Sequence, residues 1–272
     1  MGKERSAAER LAVAEEAARR AGRVLMERFP RERKLAHKGA IDLVTDADTA
    51  AERAILETLA HHFPDHAVLA EESGVHGESR YRWIVDPLDG TTNYAHSVPQ
   101  FAVSIACEAD GRVDVGVIYD PVRDELYSAI LGGGARRNGE AISVSQVAEL
   151  REALLCTGFP YWIHEHFEQP IALFSAFLRR AQAVRRFGAA AIDLAWIACG
   201  RFDGFFELGL EPWDVAAGSL IIREAGGVVT NLDGTPFSME AGQILAAPPT
   251  LHAQLLEVAR EVGPVRLPHR SA

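Results

Sequence analysis

Residues 83–93 of the chain read Trp83-Ile84-Val85-Asp86-Pro87-Leu88-Asp89-Gly90-Thr91-Thr92-Asn93. The apolar run before Asp86 predicts a buried β-strand, and the proline that follows predicts that the regular strand ends there. Asp86, Asp89 and the main-chain carbonyl of Leu88 then crowd the end of one strand. Mg²⁺ prefers such oxygen ligands and keeps positions for water and substrate phosphate. The segment therefore predicts a magnesium site.

The residues after Asp89 predict an anion site beside this metal. Gly90, Thr91 and Thr92 are typical of a turn that leads into a short helix. Main-chain amides at a helix N-terminus bind anions such as phosphate. A structural interpretation stays open, because Asp-Pro and Asp-Gly are also ordinary loop dipeptides.

Two further acidic segments favour the functional interpretation. Residues 67–70 predict a short apolar strand, and Glu71 and Glu72 follow it directly. Glu211-Pro212-Trp213-Asp214 precedes an apolar helical run, and proline is typical of the first turn of a helix. Asp214 is expected near the positive end of that helix dipole. Each segment alone is compatible with a strand end or a helix cap, whereas three acidic ends in one chain indicate a shared site.

Composition restricts the class of function. The 272 residues are 48% hydrophobic with a formal net charge of −10, so the chain is globular and long enough to bury a substantial core. Proteins that bind nucleic acids or anionic membranes in general need basic patches, so this charge predicts neither partner. No apolar run has the length of a membrane span. Cys107, Cys156 and Cys199 lie far apart in apolar surroundings, which predicts reduced buried thiols in a cytoplasmic protein.

The order of predicted elements divides the chain into two halves that share an interface. Residues 1–148 predict two helices followed by a mostly antiparallel sheet that carries the metal motif. Residues 149–272 predict alternating strands and helices, which is typical of a second α/β layer system, and carry Asp214. The predicted fold class is α/β over the whole chain, or α+β by halves.

The sequence resembles the inositol monophosphatase family in four motifs. Residues 83–93 and 213–227 resemble its two signature motifs, and residues 42–48 and 70–74 match two shorter ones in the right order. The resemblance extends from about residue 38 to about residue 247. It implies an α-β-α-β-α layered sandwich with the site between the sheets, two or three Mg²⁺ ions per site, lithium sensitivity and a homodimer.

The resemblance also implies roles for individual residues. The family's metal ligands correspond to Glu71, Asp86, the Leu88 carbonyl, Asp89 and Asp214. Thr91 corresponds to the threonine that orients the attacking water, and Glu71 or Asp48 accepts the proton of that water. Asp48, which shares a helix face with Glu52, lies beside the third magnesium. Lys38 matches a lysine near this site, one residue closer to the following motif than in some relatives.

Substrate contacts are implied in the same way. They correspond to Asp89, Gly90, Thr91, Gly188, Ala189, Ala190, Glu207 and Asp214. Glu207 matches the glutamate that accepts hydrogen bonds from sugar hydroxyls. Ala189 stands where relatives often carry threonine, so one hydroxyl contact to the substrate is missing.

Three other segments offer alternative sites. Asp46-Ala47-Asp48-Thr49 resembles the motif of haloacid-dehalogenase phosphatases, in which the first aspartate is phosphorylated. His164-Glu165-His166 would suit a metal pair on a strand, but the segment predicts an exposed helix start and a solvated cluster. Gly132-Gly133-Gly134 lacks the lysine of a phosphate-binding loop and predicts a turn.

The predicted function is magnesium-dependent hydrolysis of a small polyol phosphate monoester, with myo-inositol 1-phosphate as the first candidate substrate. Histidinol phosphate and fructose 1,6-bisphosphate are the alternatives, because family members with nearly the same metal site use them. A different alternative is a non-catalytic regulatory partner of the RNA and transcription machinery, as some bacterial relatives are. That alternative leaves the acidic motifs unexplained.

Overall fold

The computed structural model describes residues 6–29 and 46–264. The helices are α1 (Ala7–Arg28), α2 (Asp46–His62), α3 (Thr91–Ala95), α4 (Glu168–Leu178), α5 (Ala190–Ala198), α6 (Pro212–Glu224) and α7 (Pro249–Val262). The strands are β1 (Ala67–Ala70), β2 (Gly74–His76), β3 (Tyr81–Asp89), β4 (Ala102–Ala109), β5 (Arg112–Asp120), β6 (Glu125–Ile130), β7 (Ala135–Arg137), β8 (Glu140–Ala141), β9 (Leu154–Thr157), β10 (Ala183–Arg185), β11 (Gly204–Leu208), β12 (Val228–Thr230) and β13 (Gln243–Ala247).

The strands form two sheets. The first has the order β2-β1-β3-β4-β5-β6-β7-β8, and its neighbours are antiparallel except β1 and β3, which run parallel. The second has the order β10-β9-β11-β13-β12, in which β10, β9 and β11 run parallel and the other pairs antiparallel. The division into domains at residues 1–148 and 149–272 stays a prediction.

The sheets and the six longer helices form five layers. α1 and α2 cover one face of the first sheet, with Leu25, Ile55 and Trp83 in their shared core. α5 and α6 lie between the two sheets, because their hydrophobic cluster includes residues of both. α4 and α7 cover the outer face of the second sheet around Phe177 and Leu255. The predicted α-β-α-β-α sandwich is therefore confirmed.

The first helix begins where the sequence places a capping box. The Ser6 hydroxyl accepts a hydrogen bond from the Glu9 amide at 3.2 Å, and the Glu9 carboxylate accepts one from the Ser6 amide at 2.7 Å. Val13, Ala17 and Leu25 then recur with a helical period and are buried. This face holds α1 against the first sheet.

Small residues let α6 lie close to both neighbouring elements. A methyl group on Gly116 of β5 would lie 2.9 Å from the Ala217 carbonyl oxygen. A methyl group on Gly218 of α6 would lie 2.6 Å from Cβ of Leu194 on α5. Both distances are shorter than van der Waals contact. These close approaches hold the helix that carries Asp214 in its first turn.

We expect Gly218→Ala to destabilise the protein by about 1–3 kcal/mol, because the added methyl overpacks the contact with Leu194. Alanine at an exposed helix position would instead stabilise by about 1 kcal/mol relative to glycine. The free energy of unfolding, measured in urea, shows whether the substitution destabilises or stabilises the protein. Ala253→Gly at an exposed position of α7 is the control, and its loss of about 1 kcal/mol reports helix propensity alone. A Gly218→Ala protein as stable as the wild type would contradict the close packing.

Candidate metal centre and active site

Glu71 and Asp86 lie side by side at one edge of the first sheet. β1 and β3 run parallel with Ala70 opposite Val85, and the Glu71 amide donates to the Val85 carbonyl at 3.1 Å. The next residue along each strand is therefore a carboxylate, and parallel strands place their carboxyl ends together. The two carboxyl groups lie close enough for each to change the pKa of the other. The register of two strands thus brings together residues that are 15 positions apart.

The strand β3 continues to Asp89 and does not end at Asp86, as Pro87 had predicted. Its pairing with β4 shifts between Asp86 and Asp89, and the resulting bulge accommodates a proline that has no amide hydrogen. The Leu88 amide donates to Asp86 Oδ1 at 2.9 Å, and the Thr91 hydroxyl donates to the Leu88 carbonyl at 3.0 Å. The bulge therefore holds Asp86 and fixes the direction of the Leu88 carbonyl.

The N-terminus of α5 orients Asp89. The amides of Ala190 and Ala191 donate to Asp89 Oδ1 and Oδ2 at 3.2 and 2.7 Å. These amides have no acceptor within their own helix, and the helix dipole favours a negative charge at this end. Burial raises the pKa of Asp89 to about 6, and the amide hydrogen bonds oppose that rise. Asp89 is thus held by a helix of the other half of the chain.

The first turn of α6 supplies Asp214. The Glu211 amide donates to Asp214 Oδ2 at 2.7 Å, and Pro212 occupies the first turn of the helix. The Ser104 hydroxyl of β4 donates to the Trp213 carbonyl at 3.1 Å. This bond ties the start of α6 to the first sheet, next to the strand that carries Asp86.

Three aspartates from both halves of the chain converge. One carboxylate oxygen from each of Asp86, Asp89 and Asp214 lies within 4.8 Å of the others. Burial, followed by repulsion from neighbouring carboxylates, raises the pKa of Asp86 and of Asp214 well above the usual range. Such a cluster is stable only when protons or a cation neutralise it. A hard divalent cation such as Mg²⁺ fits this set of carboxylate oxygens.

Glu71 adds a fourth carboxyl group next to Asp86. Its side chain is exposed at the surface, yet the protein atoms around its carboxyl group remove part of its hydration, and this raises the pKa of Glu71 to about 8. Its hydrogen bond with Asp86 opposes the rise, and the charges of Glu72 and Asp48 add to it. Glu71 is therefore placed to take up a proton near neutral pH.

Asp48 and Glu52 of α2 lie near this cluster. Their side chains are 2% and 4% exposed, and Asp48 acts on the pKa of Glu71. Glu52 accepts a hydrogen bond from the Glu72 amide at 2.9 Å, so it supports the main chain after β1. Lys38, also predicted near this position, lies outside the described residues.

Gly90 turns the chain from β3 into α3. Its φ is 95°, which glycine adopts without strain, and a methyl there would lie 2.9 Å from the Gln100 carbonyl oxygen. α3 begins at Thr91. Asn93 then donates to the carbonyls of Gln100 at 2.9 Å and of Phe187 at 2.7 Å. Asn93 had no predicted role, and its signal in the sequence was its position at the end of the motif.

A cavity of about 370 Å³ opens beside the aspartates. Asp89 and Asp214 line it, whereas Glu71, Asp86 and Thr91 are not part of its lining. The other predicted substrate contacts line it too: Gly90, Gly188, Ala189, Ala190 and Glu207. The fold therefore places the predicted alcohol contacts and two of the predicted metal ligands around one space.

A glycine that the sequence analysis missed makes room for Glu207. A methyl group on Gly158 would lie 2.2 Å from Glu207 Oε1, and the Gly158 amide favours the charged form of Glu207 by lowering its pKa. Burial raises the pKa of Glu207 to about 8, with repulsion from Asp89 adding to the effect and Arg186 opposing it. The signal in the sequence was a glycine directly after β9. Only the pairing of β9 with β11 shows that the side chain next to this glycine is Glu207.

The three segments that the sequence offered as alternative sites do not have the surroundings that those sites would need. Asp46 is an exposed residue in the first turn of α2, whereas a phosphorylated aspartate would have to face the site. The amides of Gly132 and Gly134 donate to the Glu224 carboxylate at 2.8 Å, so this turn binds the end of α6. Residues 164–166 are exposed, and of these His164 lines the cavity.

The chain matches the model of the inositol monophosphatase family over residues 6–263. It is 42% identical over 255 residues to Nus factor SuhB of Salmonella typhimurium, which covers 92% of this chain and 96% of that protein. No helix within the described ranges is long and apolar enough to cross a membrane.

Solved structures show the same similarity. An inositol monophosphatase from Anabaena (Nostoc) sp. superposes with a TM-score of 0.87 at 45% identity, over 94% of this chain and 97% of that one. The extragenic suppressor protein suhB from Bartonella henselae superposes with a TM-score of 0.88 at 38% identity, over 93% and 99%. The resemblance seen in the four motifs is therefore confirmed.

We expect the metal-free protein to lose stability as the pH rises. The folded pKa values of Glu71 and Asp89 are about 8 and about 6, above the value of about 4 for unfolded carboxyl groups. The folded state then binds more protons than the unfolded state, so the free energy of unfolding falls between about pH 4 and about pH 8. Mg²⁺ replaces those protons, so it should raise Tm more at about pH 8 than at about pH 5.5. Thermal unfolding with EDTA or Mg²⁺ at both pH values measures this.

Asp86→Asn should weaken both effects, because it removes one charge from the cluster. Its metal-free Tm should depend less on pH, and Mg²⁺ should raise it less than in the wild type. Asp65→Asn changes an exposed aspartate that is not in the cluster and should behave as the wild type does. A full response to Mg²⁺ in Asp86→Asn would contradict the metal assignment.

Proposed function

The chain belongs to the inositol monophosphatase family, and we propose that it hydrolyses a small polyol phosphate monoester with the help of Mg²⁺. The observation that carries the proposal is the convergence of Asp86, Asp89 and Asp214 within 4.8 Å, with two of them lining a cavity. The proposed metal ligands, for two or three ions, are Glu71, Asp86, the Leu88 carbonyl, Asp89 and Asp214. When bound, Mg²⁺ supplies positive charge that polarises phosphoryl oxygens and lowers the pKa of a nearby water.

Thr91 and Glu71 would direct the attacking water. The Thr91 hydroxyl donates its hydrogen to the Leu88 carbonyl, so its oxygen is left to accept a hydrogen bond from water. Glu71 would accept the proton of that water once a bound cation has displaced its own proton, with Asp48 as the alternative acceptor. The water oxygen forms a bond to phosphorus while the bond from phosphorus to the alcohol oxygen breaks. The alcohol oxygen takes up a proton, and inorganic phosphate is the second product.

The remaining cavity walls would bind the alcohol. The cavity volume of about 370 Å³ is small for a ligand pocket, which suits a small monophosphate. Glu207 offers a buried carboxylate to hydroxyl groups, and the main chain at Gly188, Ala189 and Ala190 adjoins it in the cavity lining. myo-Inositol 1-phosphate is the first candidate, with histidinol phosphate and fructose 1,6-bisphosphate as alternatives. Lithium inhibition, a homodimer and a cytoplasmic location are further parts of this proposal.

A second candidate function is a binding role in the transcription machinery. It is supported by the relative from Salmonella typhimurium, which is 42% identical in sequence and is named Nus factor SuhB. The net charge of −10 favours a protein partner over direct contact with nucleic acid. The two functions are compatible, since one uses the cavity and the other uses the surface.

We expect one of three substrates to lead clearly when phosphate release is measured with Mg²⁺. The substrates are inositol 1-phosphate, histidinol phosphate and fructose 1,6-bisphosphate, compared by kcat/KM. A lead of about 100-fold corresponds to about 2.7 kcal/mol of transition-state discrimination and identifies the substrate class. Inositol 1-phosphate is expected to lead. No release from any of them by a protein that binds Mg²⁺ would contradict the phosphatase proposal.

The Asp89→Asn protein should separate the two candidate functions. The substitution removes a proposed metal ligand but keeps the side-chain size and one oxygen for the amides of α5. We expect kcat to fall by about 10³-fold or more, because charge stabilisation in the site is lost. Circular dichroism checks that the fold is retained. A cellular phenotype of gene deletion that Asp89→Asn still complements would support the binding role, and one that it fails to complement would support the enzymatic role.

A further inference from the structure

One wall of the cavity carries a carboxylate oxygen without a partner. Asp193 lies in the first turn of α5, is 1% exposed and lines the cavity. Its Oδ1 is buried and accepts no hydrogen bond within residues 6–29 and 46–264. Leaving a buried acceptor unsatisfied costs about 1–3 kcal/mol or more for a charged group. A group kept at such a cost indicates a functional contact.

A purely structural role does not explain this side chain. An acidic residue in the first turn of a helix commonly caps it or interacts with its dipole. In α5 the free amides of Ala190 and Ala191 are already bound by Asp89, which comes from another element. Asp193 is therefore not the cap of its own helix, and its Oδ1, in the wall of the cavity, is a buried acceptor without a partner among the described residues.

Asp193 and Glu207 together form an acidic wall. Burial raises the pKa of Asp193 well above its usual range, and the charge of Glu207 adds to this rise. Arg186, which lies over the Phe159 ring with its guanidinium carbon 5.7 Å from the ring centre, opposes the rise. Two acidic side chains favour a ligand with hydrogen-bond donors at this wall, and Arg186, which also lines the cavity, offsets part of their charge.

We propose that Asp193 is a specificity-determining residue whose Oδ1 binds a hydroxyl of the alcohol half of the substrate, next to the hydroxyl bound by Glu207. The substrate class is then a monophosphate of a polyol with at least two free hydroxyls, and not of a simple alcohol. This inference rests on the proposed phosphatase function. A hydroxyl pairs with a carboxylate and with a carboxylic acid alike, so the contact is compatible with either protonation state of Asp193.

Asp193→Leu and Asp193→Asn test the contact. Leucine has a similar size and no acceptor, whereas asparagine keeps one. The probes are inositol 1-phosphate and propyl phosphate, which has no second hydroxyl, in Mg²⁺ buffer. We expect Asp193→Leu to lower kcat/KM for inositol 1-phosphate by about 10–100-fold, or about 1.4–2.7 kcal/mol, and to change that for propyl phosphate by less than about threefold. Asp193→Asn should stay within about fivefold of the wild type on both.

Stability supplies an independent readout. Asp193→Leu removes an unpartnered buried carboxylate and is expected to keep or raise Tm. The control is Asp120→Asn, at a buried aspartate whose Oδ1 accepts from the amides of Val122 and Arg123 at 3.0 and 3.1 Å and which does not line the cavity. It should lower Tm and leave the ratio of kcat/KM for the two probes unchanged.

The following results would overturn the inference. Equal losses on both probes with a lower Tm would make Asp193 structural, and unchanged activity on both would remove it from substrate recognition. An Asp193→Asn protein as impaired as Asp193→Leu on inositol 1-phosphate would mean that the site needs the carboxyl group itself, and a hydrogen bond from a substrate hydroxyl to Oδ1 would not explain the loss.

Failure of the phosphatase proposal has a different signature. The wild type would then release phosphate from neither probe. Calorimetric titration of inositol 1-phosphate with Mg²⁺ present still decides the role of Asp193 in that case. A Kd at least about tenfold weaker in Asp193→Leu, or about 1.4 kcal/mol, supports the contact, and an equal Kd or no binding to the wild type overturns it.

Discussion

Buried carboxylates repel one another, and much of this structure holds them together against that repulsion. Asp86, Asp89 and Asp214 come from a strand bulge and a helix start, yet their oxygens lie within 4.8 Å. The raised pKa values of all three show the energetic cost of the arrangement. A divalent cation would offset that cost and couple stability to function, because the charges that destabilise the metal-free fold would also attract the cation.

The central helical layer gives the cluster its rigidity. α5 binds Asp89 through the amides of Ala190 and Ala191 and carries Asp193 one turn later. The metal end and the proposed alcohol end of the cavity are therefore positioned by one helix. α6, which supplies Asp214, packs on α5 through the contact of Gly218 with Leu194 and on the first sheet through Ala217. A displacement between these two helices would change the distance between metal ligands and substrate contacts together.

The family membership and the local geometry answer different questions. Membership of the inositol monophosphatase family accounts for the layered fold, which the solved structure from Anabaena shares with a TM-score of 0.87. The proposed choice of alcohol depends on the side chains around the cavity. In this chain Ala189 brings no hydroxyl, whereas Glu207 and Asp193 bring two buried acidic groups. Polar groups that are unsatisfied without a ligand discriminate more strongly between ligands than apolar walls do.

The sequence by itself determined the acidic segments and the strand–turn–helix at residues 83–93, because apolar runs, proline and glycine restrict the local conformation directly. Through the resemblance it also determined the layered fold. Only the tertiary structure decided that β3 passes Pro87 in a bulge and that Glu71 lies beside Asp86. It alone showed Glu207 against Gly158 and Asp193 without a partner. These features depend on strand register and helix packing between distant segments, and such contacts have no periodic signal within one segment of a sequence.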